Sequence, residues 1–110
     1  MSTAADTILF ITDQLASLGG RIRTRKMFGE YALYCDEKVV ALICDDQLFV
    51  KITEASKQHV GAAYKEGYPY PGAKPALLID SDLLDDPARL SSLIDATARS
   101  LPLPKKKIRK

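Results

Sequence analysis

Residues 23–51 read RTRKMFGEYALYCDEKVVALICDDQLFVK, and this stretch decides the fold. It contains three runs rich in apolar and β-branched residues, at 30–35, 39–44 and 48–52, separated by turn-forming groups at 36–38 and 45–47. Short apolar runs bounded by such groups are typical of strands that are joined as hairpins. The stretch therefore predicts a three-stranded antiparallel meander.

Both faces of the predicted sheet are apolar. Alternation places one set of side chains on the first face and a second set on the other. In the first strand Tyr31, Leu33 and Cys35 lie opposite Ala32 and Tyr34. In the second strand Val40, Leu42 and Cys44 lie opposite Val39, Ala41 and Ile43. A sheet face in water normally carries polar residues. We therefore expect the second face to be covered by a loop, by the chain's own end or by another subunit.

Helical patterns flank the meander. A capping-box-like start at Thr3 precedes apolar residues at helical spacing, which end before Gly19-Gly20. Thr53 can cap a second helix that runs to about Tyr64, with Val60 and Tyr64 on one side. Asp86-Pro87 can begin a last helix. The apolar stripe of the first helix is Ile8, Ile11, Leu15 and Leu18, and that of the last is Leu90, Leu93, Ile94, Thr97 and Leu101.

Between the second and last helices, the Tyr-Pro loop at 67–72 leads into a further strand at 76–80. The order α-β-β-β-α-β-α predicts an α+β fold. One extra strand is possible if residues 21–26 form a sheet edge. The expected architecture is a two-layer α/β sandwich with an antiparallel sheet. The length of 110 residues fits one domain, at 1–101, followed by a flexible basic tail at 102–110.

Charge and composition limit the classes of function that the sequence allows. Five of the 16 Lys and Arg residues lie in the tail, which leaves 11 against 14 Asp and Glu, so residues 1–104 carry a formal charge of −3. No apolar run approaches a membrane span, and the N-terminus lacks the basic start of a signal peptide. Cys35 and Cys44 lie too far apart in the hairpin for a disulfide. We therefore expect a cytoplasmic protein with two buried thiols.

Few residues suggest catalysis. His59 stands alone, and the acidic pairs 45–46 and 85–86 lie where turns and helix caps favour Asp. The sequence has no phosphate-binding loop and no zinc-ligand spacing. We therefore expect no enzyme activity, cofactor or metal.

Two sets of residues are candidates for binding. A basic set could contact phosphates or an acidic partner, although a solvated sheet edge and a solubilising tail are the alternatives. It consists of Arg21, Arg23, Arg25, Lys26, Lys105, Lys106, Lys107, Arg109 and Lys110. An aromatic set could stack on bases or line a groove, although core packing is the simpler role. It consists of Phe28, Tyr31, Tyr34, Tyr68 and Tyr70.

The run at 25–51, RKMFGEYALYCDEKVVALICDDQLFVK, resembles the signature of the TfoX/Sxy N-terminal domain, and weaker similarity extends to about Leu101. The resemblance implies a secretion-chaperone-like α/β sandwich without a catalytic set. It also implies a role related to transcription regulation and competence, in which two-domain relatives act with other transcription factors.

The sequence therefore suggests three alternative functions, each of which can be tested. The first is a non-enzymatic regulatory module that binds a protein partner or forms a dimer. The second is an accessory binder of nucleic acid, weak and sensitive to salt because its charges lie on the basic set. The third is a small-ligand binder or enzyme at the Tyr-Pro loop.

Overall fold

The computed structural model describes residues 5–27 and 30–101, and in this part of the chain helices pack on one face of an antiparallel sheet. The helices are α1 (Ala5–Gln14), α2 (Glu54–Val60), α3 (Ser81–Leu84) and α4 (Pro87–Ser100). The strands are β1 (Ile22–Met27), β2 (Glu30–Cys35), β3 (Lys38–Cys44), β4 (Gln47–Val50), β5 (Glu66–Gly67) and β6 (Ala76–Leu78). Short 3-10 segments follow α1 and α2.

The six strands lie in the order β1-β2-β3-β4-β6-β5, and every neighbouring pair is antiparallel. The α+β prediction is confirmed, and the predicted meander is β2, β3 and β4. The structure contains more helices and strands than the predicted order. Strand β1 forms one edge of the sheet, the two-residue β5 forms the other, and α3 is an additional single turn.

Both meander hairpins close with two-residue loops. Cys35 pairs with Lys38 across the first loop, and Cys44 pairs with Gln47 across the second. All four loop residues have positive φ, at 55° and 68° for Asp36 and Glu37, and 53° and 62° for Asp45 and Asp46. This is the geometry of type I′ turns, whose twist matches that of the strands. Asp tolerates it through local hydrogen bonds, whereas Glu37 has no such compensation.

We expect the Glu37→Gly variant to be more stable than the wild type by about 0.5–1 kcal/mol, because glycine adopts positive φ without the steric penalty of a Cβ atom. Urea unfolding followed by circular dichroism measures the free energy of unfolding. The Glu37→Ala variant is the control, since it removes the exposed ion pair with Arg23 but keeps the Cβ atom. A Glu37→Gly variant no more stable than Glu37→Ala would contradict the explanation.

The main core lies between the sheet and the helices. It joins buried side chains of all four helices to the helix-side residues of the sheet. Its largest fully buried members are Ile11, Leu15, Leu33, Val40, Ile43, Leu48, Val50, Leu77, Leu90, Leu93 and Ile94. The apolar stripe predicted for the last helix is confirmed from Leu90 to Thr97. The Thr97 hydroxyl donates to the Leu93 carbonyl oxygen at 2.8 Å, so this polar group is satisfied within the core.

A β-bulge corrects one predicted face. Leu33 pairs with Ala41 but Tyr34 pairs with Val39, so Val40 is an extra residue in β3. Val40 and Ala41 are therefore both in the helix-side core. The predictions that Val40 shares a face with Leu42 and Cys44, and that Val39 shares one with Ala41 and Ile43, were wrong, because a bulge interrupts the alternation of the strand.

Two helix ends also differ from the predictions. Helix α1 ends at Gln14, and the chain continues through a 3-10 segment in which Gly19 has φ of 56°. Helix α2 ends at Val60 rather than near Tyr64, since Gly61 adopts φ of 50° there. Tyr64 is 39% exposed and does not share the burial of Val60. The predicted start of α1 at Thr3 lies outside the described residues.

The start of α4 agrees with its prediction. The Asp86 side chain accepts a hydrogen bond from the Arg89 N–H at 3.2 Å, and Pro87 is the first helical residue. Within residues 5–27 and 30–101, the helices all fall short of the length and apolar character needed to cross a membrane.

Candidate functional site

Arg21 is held inside an ion-pair network. Its guanidinium donates to both carboxylate oxygens of Asp36, at 2.8 Å and 2.7 Å, and also to Asp95 in α4. Hydrogen bonding from Arg21 lowers the pKa of both carboxyl groups, and the Asp36 carboxylate in turn raises the pKa of Arg21. Arg99 adds a second cation to Asp95 at 2.9 Å. Arg21 therefore ties the β2–β3 turn to α4.

The basic residues of β1, which follow Arg21, are divided between the sheet faces. Arg23 donates to Glu37 at 2.7 Å, and its guanidinium lies over the Tyr34 ring, 5.3 Å from the centroid. Arg25 pairs with Ala32 and therefore shares the Arg23 face, whereas Lys26 pairs with Tyr31 on the helix side. Arg25 and Lys26 are exposed, and within the described part of the chain neither makes an ion pair. Strand alternation thus prevents the four cations from forming one basic surface.

We call the side of the sheet opposite the helices the reverse face. A second apolar cluster lies there, with Cys44, Phe49 and Ala76 buried and Leu42 and Leu78 half-buried against them. Among the described residues, the members of this cluster all come from strands. The helices thus cover the sheet on one side only.

The reverse face continues towards β1. Tyr34 and Val39 form a cross-strand pair, and both are half-buried. In the neighbouring strand β1, the Arg23 guanidinium lies over the Tyr34 ring, and Arg25 follows two residues later on the same face. The arrangement combines an apolar centre with a cationic border.

The predicted aromatic set is scattered. Tyr31 is half-buried against the helix-side core, and Tyr34 lies on the reverse face. Tyr68 and Tyr70 are 65% and 55% exposed, and Tyr70 borders a cavity of about 550 Å³ next to the reverse face. Phe28 lies outside the described residues. The basic tail residues Lys105, Lys106, Lys107, Arg109 and Lys110 also lie outside them.

An exposed apolar pair on α1 was not predicted to have a role. Leu9 is 66% exposed and Phe10 is 43% exposed, and they border a shallow depression with Thr12, Asp13 and Ala16. The sequence signal was available, since both residues are out of phase with the buried stripe of Ile8 and Ile11. Two adjacent apolar side chains make a small patch.

The remaining reactive residue types have structural surroundings. Cys35 and Cys44 are free and buried, in the helix-side core and the reverse-face cluster respectively, and burial raises the pKa of both thiols. His59 is exposed, with Nδ1 3.1 Å from the Ala55 carbonyl oxygen. Over residues 5–27 and 30–101, no three His, Cys, Asp or Glu side chains come together in a group that could hold a metal ion.

Comparisons with known proteins give one family and one relative. The family model of the TfoX N-terminal domain matches residues 13–101, which include every strand and most of the helical residues. An uncharacterized 12.7 kDa protein in the trpE 5′ region of Spirochaeta aurantia is 42% identical over 105 residues. The matched region covers 96% of this chain and 89% of that protein.

Proposed function

This chain belongs to the TfoX N-terminal domain family, and we propose from that premise that it is a non-enzymatic module that regulates transcription through protein contacts. The observation that carries the proposal is the Tyr34 and Val39 pair, which is half-buried and lies on the side of the sheet opposite the helices. A competence-related role is the most specific form of this proposal, and the cytoplasm is the compartment in which we expect it to act.

The chemistry of the reverse face supports a protein partner. Tyr34 and Val39 present aromatic and aliphatic surface, and Arg23 and Arg25 border it. Protein interfaces are enriched in aromatic residues and arginine, with apolar groups at the centre and polar groups at the rim. The expected partner surface is therefore apolar with acidic residues around it. A second copy of this chain would have to present a different surface, because two reverse faces would bring their arginine borders together.

The experiment compares two single substitutions on opposite sides of the molecule. Val39→Glu places a charge at the centre of the reverse face, whereas Leu9→Glu places one on the exposed side of α1. Each variant, with the wild type, is cross-linked in host cells, and each purified protein is examined by sedimentation velocity. Circular dichroism establishes that both variants are folded.

We expect the wild type and Leu9→Glu to form the same cross-linked complex or the same dimer, and Val39→Glu to lose it by at least about tenfold in yield, as expected for a substitution at an interface centre. The proposal fails if the wild type is monomeric and acquires no cross-linked partner. It also fails if Val39→Glu keeps the partner that the wild type has.

A further inference from the structure

The loop between β5 and β6 has a defined shape. The Ala73 N–H donates to the Tyr70 carbonyl oxygen at 3.0 Å, with Pro71 and Gly72 between them. Gly72 has φ of 85°, so residues 70–73 form a type II turn with proline and glycine in its two central positions. The turn fixes the backbone conformation of the loop next to Tyr70.

A cavity of about 550 Å³ lies between this loop and the reverse face. Leu42, Phe49 and Ala76 of the sheet contribute apolar lining, and Tyr70 and Pro75 contribute lining from the loop. Its volume is within the range of about 300–1,000 Å³ that is usual for small-molecule sites. The lining is thus suited to an apolar body of modest size.

The charged residues at this cavity have a single sign. Among the described lining residues, Lys51 and Lys74 carry charge, and no carboxylate is present. Both lysines are exposed, and neither makes an ion pair within the described part of the chain. Two unpaired ammonium groups beside an apolar cavity are complementary to an anionic group on a ligand.

The position of the cavity in the sheet argues against an extended peptide as the ligand. The lining strands β3, β4 and β6 each lie between two neighbours in the sheet order. A peptide that adds a strand needs the free backbone groups of a sheet edge. Recognition here must therefore use side chains, namely apolar contacts and the two ammonium groups.

We propose that this cavity binds a small amphipathic carboxylate, with its hydrocarbon or aromatic body against Phe49 and Tyr70 and its carboxylate near Lys51 and Lys74. The ligand class is distinct from the protein partner proposed for the Val39 region of the reverse face. The two proposals can therefore fail separately.

The test uses decanoate as the probe. Titration into ¹⁵N-labelled protein is expected to give saturable shifts of the amide signals of residues 70–76, with a dissociation constant below about 1 mM, as expected for a ligand of this size. Decyltrimethylammonium, which has a chain of the same length and the opposite charge, is expected to bind at least about tenfold more weakly because its head group faces two cations.

Substitutions then locate the site. Tyr70→Ala removes an aromatic side chain from the lining and is expected to weaken decanoate binding about tenfold. Tyr68→Ala is the matched control, since Tyr68 is also exposed, at 65% against 55% for Tyr70, but does not line the cavity. The affinity of this variant for decanoate should equal that of the wild type. The double variant Lys51→Gln/Lys74→Gln should weaken decanoate binding by about tenfold and narrow the difference between the two probes.

Three results would overturn the proposal. The first is the absence of saturable decanoate shifts at residues 70–76. The second is equal affinity for decanoate and decyltrimethylammonium. The third is unchanged decanoate affinity in Tyr70→Ala, provided that its amide spectrum shows the wild-type fold.

Discussion

The Arg21→Met variant is expected to lose about 2 kcal/mol of unfolding free energy at pH 7, because charge-assisted hydrogen bonds from Arg21 to two carboxylates are lost together. The expected loss of unfolding free energy is no larger than this because the Arg21 side chain is 36% exposed, so water screens part of its attraction to the carboxylates. Met keeps most of the apolar stem, so packing is largely retained. Urea unfolding followed by far-ultraviolet circular dichroism measures the loss, since the chain has no Trp.

The same network gives the effect a pH dependence. Arg21 lowers the pKa of Asp36 and Asp95 below their ordinary value of 3.8 in the folded protein. Each carboxylate therefore stabilises the fold above that value, and the contribution is lost as the pH falls through the lower folded pKa. The stability difference between wild type and Arg21→Met should be full at pH 7 and should shrink as the pH falls below 3.8.

Arg23→Met is the control for both measurements. Arg23 is two residues from Arg21, in strand β1, but its ion pair with Glu37 is mostly exposed, at 58% and 71%, and exposed pairs contribute about 0–1 kcal/mol. We expect this variant to lose less than about 1 kcal/mol, with little change in acid sensitivity. If Arg21→Met is no less stable than Arg23→Met at pH 7, the ion pairs of Arg21 do not stabilise the packing of the β2–β3 turn against α4.

The Ser56→Ala variant is expected to lose about 2 kcal/mol, since a fully buried hydroxyl joins several backbone groups. Ser56 Oγ accepts from the Thr53 N–H at 2.7 Å and lies 3.0 Å from the Lys51 carbonyl oxygen, to which it donates. Thr53 Oγ1 accepts from the Ser56 N–H at 3.0 Å, which completes a capping box. Removing the Ser56 hydroxyl leaves the Thr53 N–H without this acceptor at the start of α2.

Ser92→Ala provides the comparison, because Ser92 is exposed on α4 and its loss should change stability by less than about 0.5 kcal/mol. The measurement is urea unfolding under the same conditions. Equal stability of the two variants would mean that the buried hydroxyl has no net stabilising effect. The Ser56 hydroxyl also positions the segment that leads into α2, because it donates to the Lys51 carbonyl oxygen. Lys51 and Ile52 in this segment line the cavity.

Local sequence signals were sufficient for the meander and for α4. Paired acidic residues between β-rich runs indicated the hairpins, and Asp86-Pro87 indicated the helix start. Residues 21–26 allow a strand at the sheet edge but do not require one, because the cations there hide the alternation that usually marks a strand. The bulge at Val40 was missed, since a register shift depends on the neighbouring strand and leaves no local pattern.

The candidate sites were harder to predict because they depend on distant contacts. Arg21 looked like an exposed cation, but its partners are 15 and 74 residues away in the chain. The cavity beside Tyr70 arises only when the loop packs against Leu42 and Phe49, which precede Tyr70 by 28 and 21 residues in the chain. A partial signal existed, because Pro71-Gly72 is the usual sequence of a type II turn. What the loop would face could not be read from that signal.

Leu101, where the described chain leaves α4, is one of the residues that line the cavity. A purification tag or a fluorescent protein fused directly after Leu101 would therefore be tethered near the opening and would compete with a ligand. Helix α1 packs against the opposite side of the sheet. Fusions used in binding assays should accordingly be attached at the N-terminus.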